Sequence, residues 1–175
     1  VSFSNLDFLF DESAKNLQPF VFLNKPFTAS SVVFENIHSE NDKLLIFDDT
    51  FSSVTFQGCS FINCSNKNSY ILLLSRISFT FSDSIIQCPK NADTKAKCAM
   101  SYTALDTSNC AISNSNFINL DAFDFSLTCD TNIQYCTFDN SCFNITHSMK
   151  FTFSHNIIQN NINLHHYSCI FEFTN

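Results

Sequence analysis

The chain has 175 residues, 45% of them apolar, and a formal net charge of −7 with a single arginine, Arg76. That length suits one domain with a substantial core. The acidic balance excludes the basic surface that nucleic acid or an anionic membrane requires. The longest apolar run, residues 70–74, falls far short of the roughly 20 residues that cross a bilayer. Twenty-two phenylalanines with no tryptophan point to an interior stacked mainly from Phe, Ile and Leu. Residues 1–29 are less regular than the rest of the chain.

From residue 30 onward an apolar anchor recurs, at Phe34, Phe56, Phe81, Ile112, Ile133 and Phe153. The intervals are 22, 25, 31, 21 and 20 residues. Apolar side chains alternate into each anchor, as in Val54 with Phe56, Phe79 with Phe81, and Phe151 with Phe153. Alternation of this kind marks a strand with one buried face. The phase then slips by one residue, giving Cys59 and Phe61, Ser84 and Ile86, Ser115 and Phe117, Cys136 and Phe138, and Asn156 and Ile158. A slip requires a corner, and the corner residues are polar: Gln57-Gly58, Ser82-Asp83, Ser113-Asn114 and Ser154-His155.

Seven residues after the anchors stand Asn41, Asn63, Cys88, Asn119, Asn140 and Asn160. Asparagine tolerates the left-handed backbone conformation, and stacked asparagine amides are expected to form a hydrogen-bonded ladder. A third apolar stretch comes next at residues 44–47 and 71–74, and at Phe123, Phe125 and Leu127. Three short strands per repeat predict an all-β fold, a right-handed parallel β-helix (solenoid) of about six to seven coils of 20–31 residues. The clear repeats run over 30–165, with 166–175 as a last strand of a single 1–175 domain. The Asn-Gly and Asp-Gly turns of sandwich hairpins are missing, and no leucine-rich template recurs. Residues 90–100, with Lys90, Lys95 and Lys97, read as a polar loop rather than a helix. The start at Val1 and the strand-like ending IFEFTN lead to the expectation of a segment flanked by further coils of a longer protein.

Nine cysteines are present. Cys59 and Cys136 fall at an inward slot shared with Ser84, Ser115 and Asn156, and read as buried thiols. Cys88 and Cys98 bracket the polar insertion PKNADTKAK and are candidates for a short-loop disulfide. Cys129, Cys136 and Cys142 offer another candidate pair. No CxxC pair and no suitably spaced histidine occur, so no metal or other cofactor is expected. The sequons at Asn63 and Asn144 are no more than chance supplies in a chain this rich in Asn, Ser and Thr.

Glycoside hydrolysis needs two carboxylates beside a cleft. Asp48 and Asp49 form the best acidic pair, and Asp121 with Asp124 the next. Neighbours on a strand face opposite sides, and each pair reads as a solvated edge. Arg76 reads as an edge residue laying its stem over apolar neighbours. His38, His147, His155, His165 and His166 pair with no recognisable nucleophile. Without tryptophan, only four tyrosines could supply sugar-stacking surfaces. Threonines in a Thr-x-Thr pattern, as on an ice-binding face, do not recur. No catalytic residue is therefore assigned.

The repeat cores FQGCSFINC (56–64), ISNSNFINL (112–120) and IQYCTFDNS (133–141) resemble the pectin-lyase-like β-helix superfamily. More narrowly, they are similar to polymorphic outer-membrane-protein type repeats, over roughly residues 30–165. The glycine-rich motif of those repeats is missing, as are the Gly-His-Gly and Arg-Ile-Lys elements of the galacturonase-type members. The resemblance implies a non-enzymatic, adhesin-like protein, secreted or at the cell surface, whose loops at 64–70 and 88–100 contact glycans or cell-surface proteins. The rival reading is a polysaccharide lyase or glycoside hydrolase with degenerate motifs, using Asp48, Asp49 or Asp124.

Overall fold

In a computed structural model the protein is all-β. It describes residues 2–4, 7–9, 20–21, 26–39, 45–47, 53–66, 70–88, 99–103, 108–120, 122–127, 129–147, 150–160, 164–167 and 171–172. No helix occurs among them. The strands come in successive circuits. The first holds β1 (Ser2–Ser4), β2 (Asp7–Leu9) and β3 (Phe20–Val21). The second holds β4 (Phe27–Ser30), β5 (Val33–Glu35), β6 (His38–Ser39) and β7 (Leu45–Phe47). The third holds β8 (Ser53–Gln57), β9 (Ser60–Ile62), β10 (Ser65–Asn66) and β11 (Leu72–Ser75).

Three strands make each later circuit. These are β12 (Ser78–Ser82), β13 (Ile85–Gln87) and β14 (Ala99–Thr103); then β15 (Cys110–Ser113), β16 (Asn116–Ile118) and β17 (Ala122–Leu127). Next come β18 (Thr131–Gln134), β19 (Thr137–Asp139) and β20 (Phe143–His147), and then β21 (Phe151–Ser154), β22 (Ile157–Gln159) and β23 (Leu164–Tyr167). The last strand is β24 (Phe171–Glu172).

Corresponding strands of successive circuits pair in parallel. Sheet A runs β1-β4-β8-β12-β15-β18-β21-β24, and sheet B runs β2-β5-β9-β13-β16-β19-β22. Sheet C runs β3-β7-β11-β14-β17-β20-β23, and β6 pairs with β10 beside them. The inward residues of the three sheets form one core cluster. In sheet A the column is Ala29, Phe56, Phe81, Ile112, Ile133 and Phe153, all buried. In sheet B it is Phe34, Phe61, Ile86, Phe117 and Phe138. Phe34 stacks on Phe61 with centroids 4.6 Å apart, and Phe117 on Phe138 at 4.9 Å. Such pairs contribute about 0.5–1.5 kcal/mol each beyond the area they bury. Phenylalanine is thus the repeating core unit because one circuit's rise brings ring onto ring.

This register corrects the first anchor. Ala29, not Phe34, pairs with Phe56, while Phe34 pairs with Phe61 in the second strand. The asparagine seven residues after Ala29 is Asn36, and Asn41 lies outside the described residues. Alanine hides the anchor because its small side chain carries little of the alternating signal.

Two columns of left-handed residues turn the chain between the sheets. The A-to-B corner uses Ser31, Gly58, Asp83, Asn114, Tyr135 and His155, all at φ between 49° and 62°. The second column is Asn36, Asn63, Asn119, Asn140 and Asn160, at φ between 48° and 60°. Cys88 takes the equivalent place in the fourth circuit without a positive φ. Backbone pairing continues through both corners. Gly58 N–H donates to Ser82 O at 3.0 Å, Asp83 N–H to Ser113 O at 3.1 Å, and Asn119 N–H to Asp139 O at 2.9 Å. The corners therefore leave these backbone amides satisfied.

Candidate functional site

The asparagine column is joined by amide bonds in two stretches. Asn63 Nδ2 donates to Asn36 Oδ1 at 2.6 Å, and Asn140 Nδ2 to Asn119 Oδ1 at 3.0 Å. Where Cys88 interrupts, Asn119 Nδ2 donates to the Cys88 carbonyl at 2.9 Å. At the last rung Asn160 Nδ2 turns to Asp139 Oδ1 at 2.5 Å. A glycan on Asn63 would attach at the same nitrogen and so compete with the first of these bonds.

The buried slot after the A-to-B corner holds Val32, Cys59, Ser84, Ser115 and Cys136. Ser84 Oγ accepts from Cys59 N–H at 2.9 Å, and Ser115 Oγ accepts from Ser84 N–H at 3.2 Å. Both hydroxyls donate to the carbonyl two residues back, at 2.6 and 2.7 Å. Cys136 Sγ makes the same contact to Gln134 O at 3.2 Å. Burial pushes the Cys136 thiol up to about 11, and the Cys64 thiol up to about 12 with help from the Glu35 charge. Burial also raises Cys59, and it raises Cys110 well above the ordinary range with the neighbouring Cys129 adding to it. Thiols held this far from ionisation are poor nucleophiles. Cys88 is half of a disulfide. Cys98, its sequence-expected partner, lies outside the described residues, whereas Cys129, Cys136 and Cys142 carry no bridge.

Asp48, Asp49 and Asp121 also lie outside the described residues, as do 67–69 and 89–98 of the two expected contact loops. Asp124 is half-buried in β17, in register with Ser101 and Leu73. Its Oδ2 accepts a 2.9 Å bond from Tyr70, whose hydroxyl reaches across two circuits. Burial, then the Asp124 carboxylate, raises the Tyr70 phenol, so the tyrosine remains the donor. That arrangement clasps β11 to β17. Glu35 and Asp139 share one outward column of sheet B, four register steps apart. Four steps make about 19 Å, against the roughly 5–9.5 Å between paired glycosidase carboxylates. Arg76 is an exposed corner residue at φ 59°, its N–H donating to Thr103 O at 2.6 Å. Among the described residues no group of three His, Cys, Asp or Glu is placed to hold a metal ion.

The outward face of sheet A carries features that strand-by-strand reading misses. Thr28, Thr55, Thr80, Ala111, Asn132 and Thr152 fall in one register column. Two residues along, Ser30, Gln57, Ser82, Ser113 and Gln134 form a second, which ends in register at Ser154, a buried residue whose Oγ accepts from Gln134 Nε2 at 3.0 Å. The signal is the residue just before each anchor, and Ala29 in place of Phe34 adds Thr28 to the series. Bordering this face, the rings of Tyr135 and His155 stack at 4.8 Å with an 18° interplanar angle. Tyr135 is 57% exposed at φ 57°, a conformation costing a non-glycine residue about 1–2 kcal/mol. Of the other tyrosines, Tyr102 is buried and donates to Ile77 O at 2.6 Å.

Comparison with known protein families, curated proteins and solved structures found no match.

Proposed function

We propose that the three parallel sheets close on one another as a right-handed parallel β-helix of the pectin-lyase-like kind, and that this helix is a non-enzymatic binding scaffold, secreted or displayed at a cell surface. The observation that carries the reading is the in-register repetition. Inward positions are given to apolar stacks, corner positions to left-handed turns, and outward positions to long register columns. A scaffold of this sort presents extended surfaces rather than one cleft. The disulfide at Cys88 supports an oxidising compartment outside the cytosol. The clasp of Asp124 by Tyr70 supports a structural role for the one candidate carboxylate that is described.

The test is reducing-end release from neutral and acidic polysaccharides by the full chain. No release from a folded sample is the expected outcome. Release that vanishes in Asp48→Ala, Asp49→Ala or Asp124→Ala would instead place the protein among carbohydrate-cleaving β-helices.

A further inference from the structure

We infer that the outward face of sheet A, together with the Tyr135–His155 pair on its border, binds a neutral, hydroxyl-rich polysaccharide laid along the stack of circuits. This deepens the binding-scaffold reading above and rests on it. The first observation is chemical uniformity. From Thr28 to Thr152 and from Ser30 to Gln134 the two register columns are uncharged and, apart from Ala111, carry hydroxyls or amides. The chain nonetheless carries 16 acidic and 9 basic residues; Glu35 and Asp139 lie on sheet B and Asp124 on sheet C, while exposed Asp83 stands at the corner bordering the strip and Glu172 of β24 follows Thr152 at its end. An uncharged strip on an acidic protein matches an uncharged polymer, while an acidic glycan would be repelled by the net charge of −7.

The second observation is periodicity. Groups repeat about every 4.8 Å along the columns, and roughly 6.6 Å separates one column from the next. A polymer with regularly spaced hydroxyls can therefore repeat the same contact from circuit to circuit. Each such contact is weak, and their number supplies the avidity.

The third observation is independent of the columns. Tyr135 occupies a left-handed corner that Asn114 fills in the preceding circuit, and its side chain is exposed rather than packed inside. A bulky residue held in that conformation points to a use for its ring. Stacked on His155, it presents an aromatic edge and face beside the polar strip, the surface on which the C–H face of a sugar ring packs. An ice lattice is a poorer fit, because Ala111 and Asn132 interrupt the threonines and long glutamine side chains flank them.

The experiment measures sedimentation of the full chain with insoluble β-glucan, mannan and chitin, and its binding to soluble polygalacturonate. Wild type is compared with Thr80→Glu, Thr80→Ser and Tyr135→Asn, and the melting temperature of each is recorded. The inference expects binding to at least one neutral polymer. Thr80→Glu and Tyr135→Asn should each weaken it by about tenfold or more, while Thr80→Ser retains it. Tyr135→Asn should melt no lower than wild type, since asparagine relieves the corner; a purely structural role for the tyrosine would lower it. Binding that survives both variants overturns the inference, as does binding to polygalacturonate alone, partition into ice alone, or no binding at all. Reducing ends released in the same incubations would overturn the non-enzymatic reading of the scaffold separately, leaving the variants to decide whether this face binds.

Discussion

Single residues decide where this chain turns. Left-handed backbone costs a residue with a Cβ about 1–2 kcal/mol, and asparagine escapes part of that through local hydrogen bonding. Asn140 also donates its amide to Asn119. Asn140→Ala is therefore expected to destabilise the fold by about 1–2 kcal/mol, read from denaturant melts. Gly58 is the internal control. Its φ is 62°, and a Cβ there would meet Ser31 Oγ at 3.6 Å, an ordinary contact. Backbone conformation, not space, thus governs the site. Gly58→Asn should be tolerated to within about 0.5 kcal/mol, because Asn114 already fills that corner in another circuit. A larger loss at Gly58 than at Asn140 would mean that the corner is set by something other than φ.

At the scale of elements, each strand–corner–strand unit repeats one solution with interchangeable chemistry in its buried slot. Serine and cysteine both fill it, each donating to the carbonyl two residues earlier. The cysteines add a dependence on pH. A thiol whose folded pKa is raised stabilises the fold fully below its unfolded value, and that stability is lost as pH rises towards the folded value. For Cys64 the window runs from 9.0 to about 12, and for Cys136 from 9.0 to about 11. The melting temperature should fall progressively above pH 9.0, and Cys136→Ser should fall less steeply while matching wild type at neutral pH. Identical alkaline profiles for the two proteins would contradict the assignment.

What the sequence reveals at this scale depends on which signals are strong. Alternation into Phe56, Phe81 and Phe153, and the asparagines beyond them, expose the first two strands and their corners. The third strand is harder to place, because the connection from sheet B to sheet C varies in length from one circuit to the next. Phe34 displaces Ala29 in the sequence pattern because a phenylalanine on the second strand imitates an anchor. The threonine column is hidden for a different reason. It runs across circuits rather than along a strand, so no local Thr-x-Thr pattern announces it.

At the scale of the molecule, the register compounds every local rule into one axis. Neighbouring circuits exchange backbone hydrogen bonds in both directions at the corners: Asn63 N–H donates to Gln87 O of the next circuit, and Ser60 N–H to Val32 O of the one before. At β22, the last strand of sheet B, Ile158 stands in register with buried Phe138 yet is 43% exposed. Ile158 is thus an exposed apolar residue in a column that is buried from Phe34 to Phe138.

The most direct test is a dipolar distance between spin labels attached, through non-cysteine chemistry, at Thr28 and Thr152. These positions share one outward column and lie five register steps apart. Stacked circuits predict about 24 Å between the labelled backbones. A narrow distribution near that value would establish the continuous in-register stack. A separation no greater than about 15 Å would mean that the strands fold back on one another, and the β-helix and its outward binding face would both be wrong.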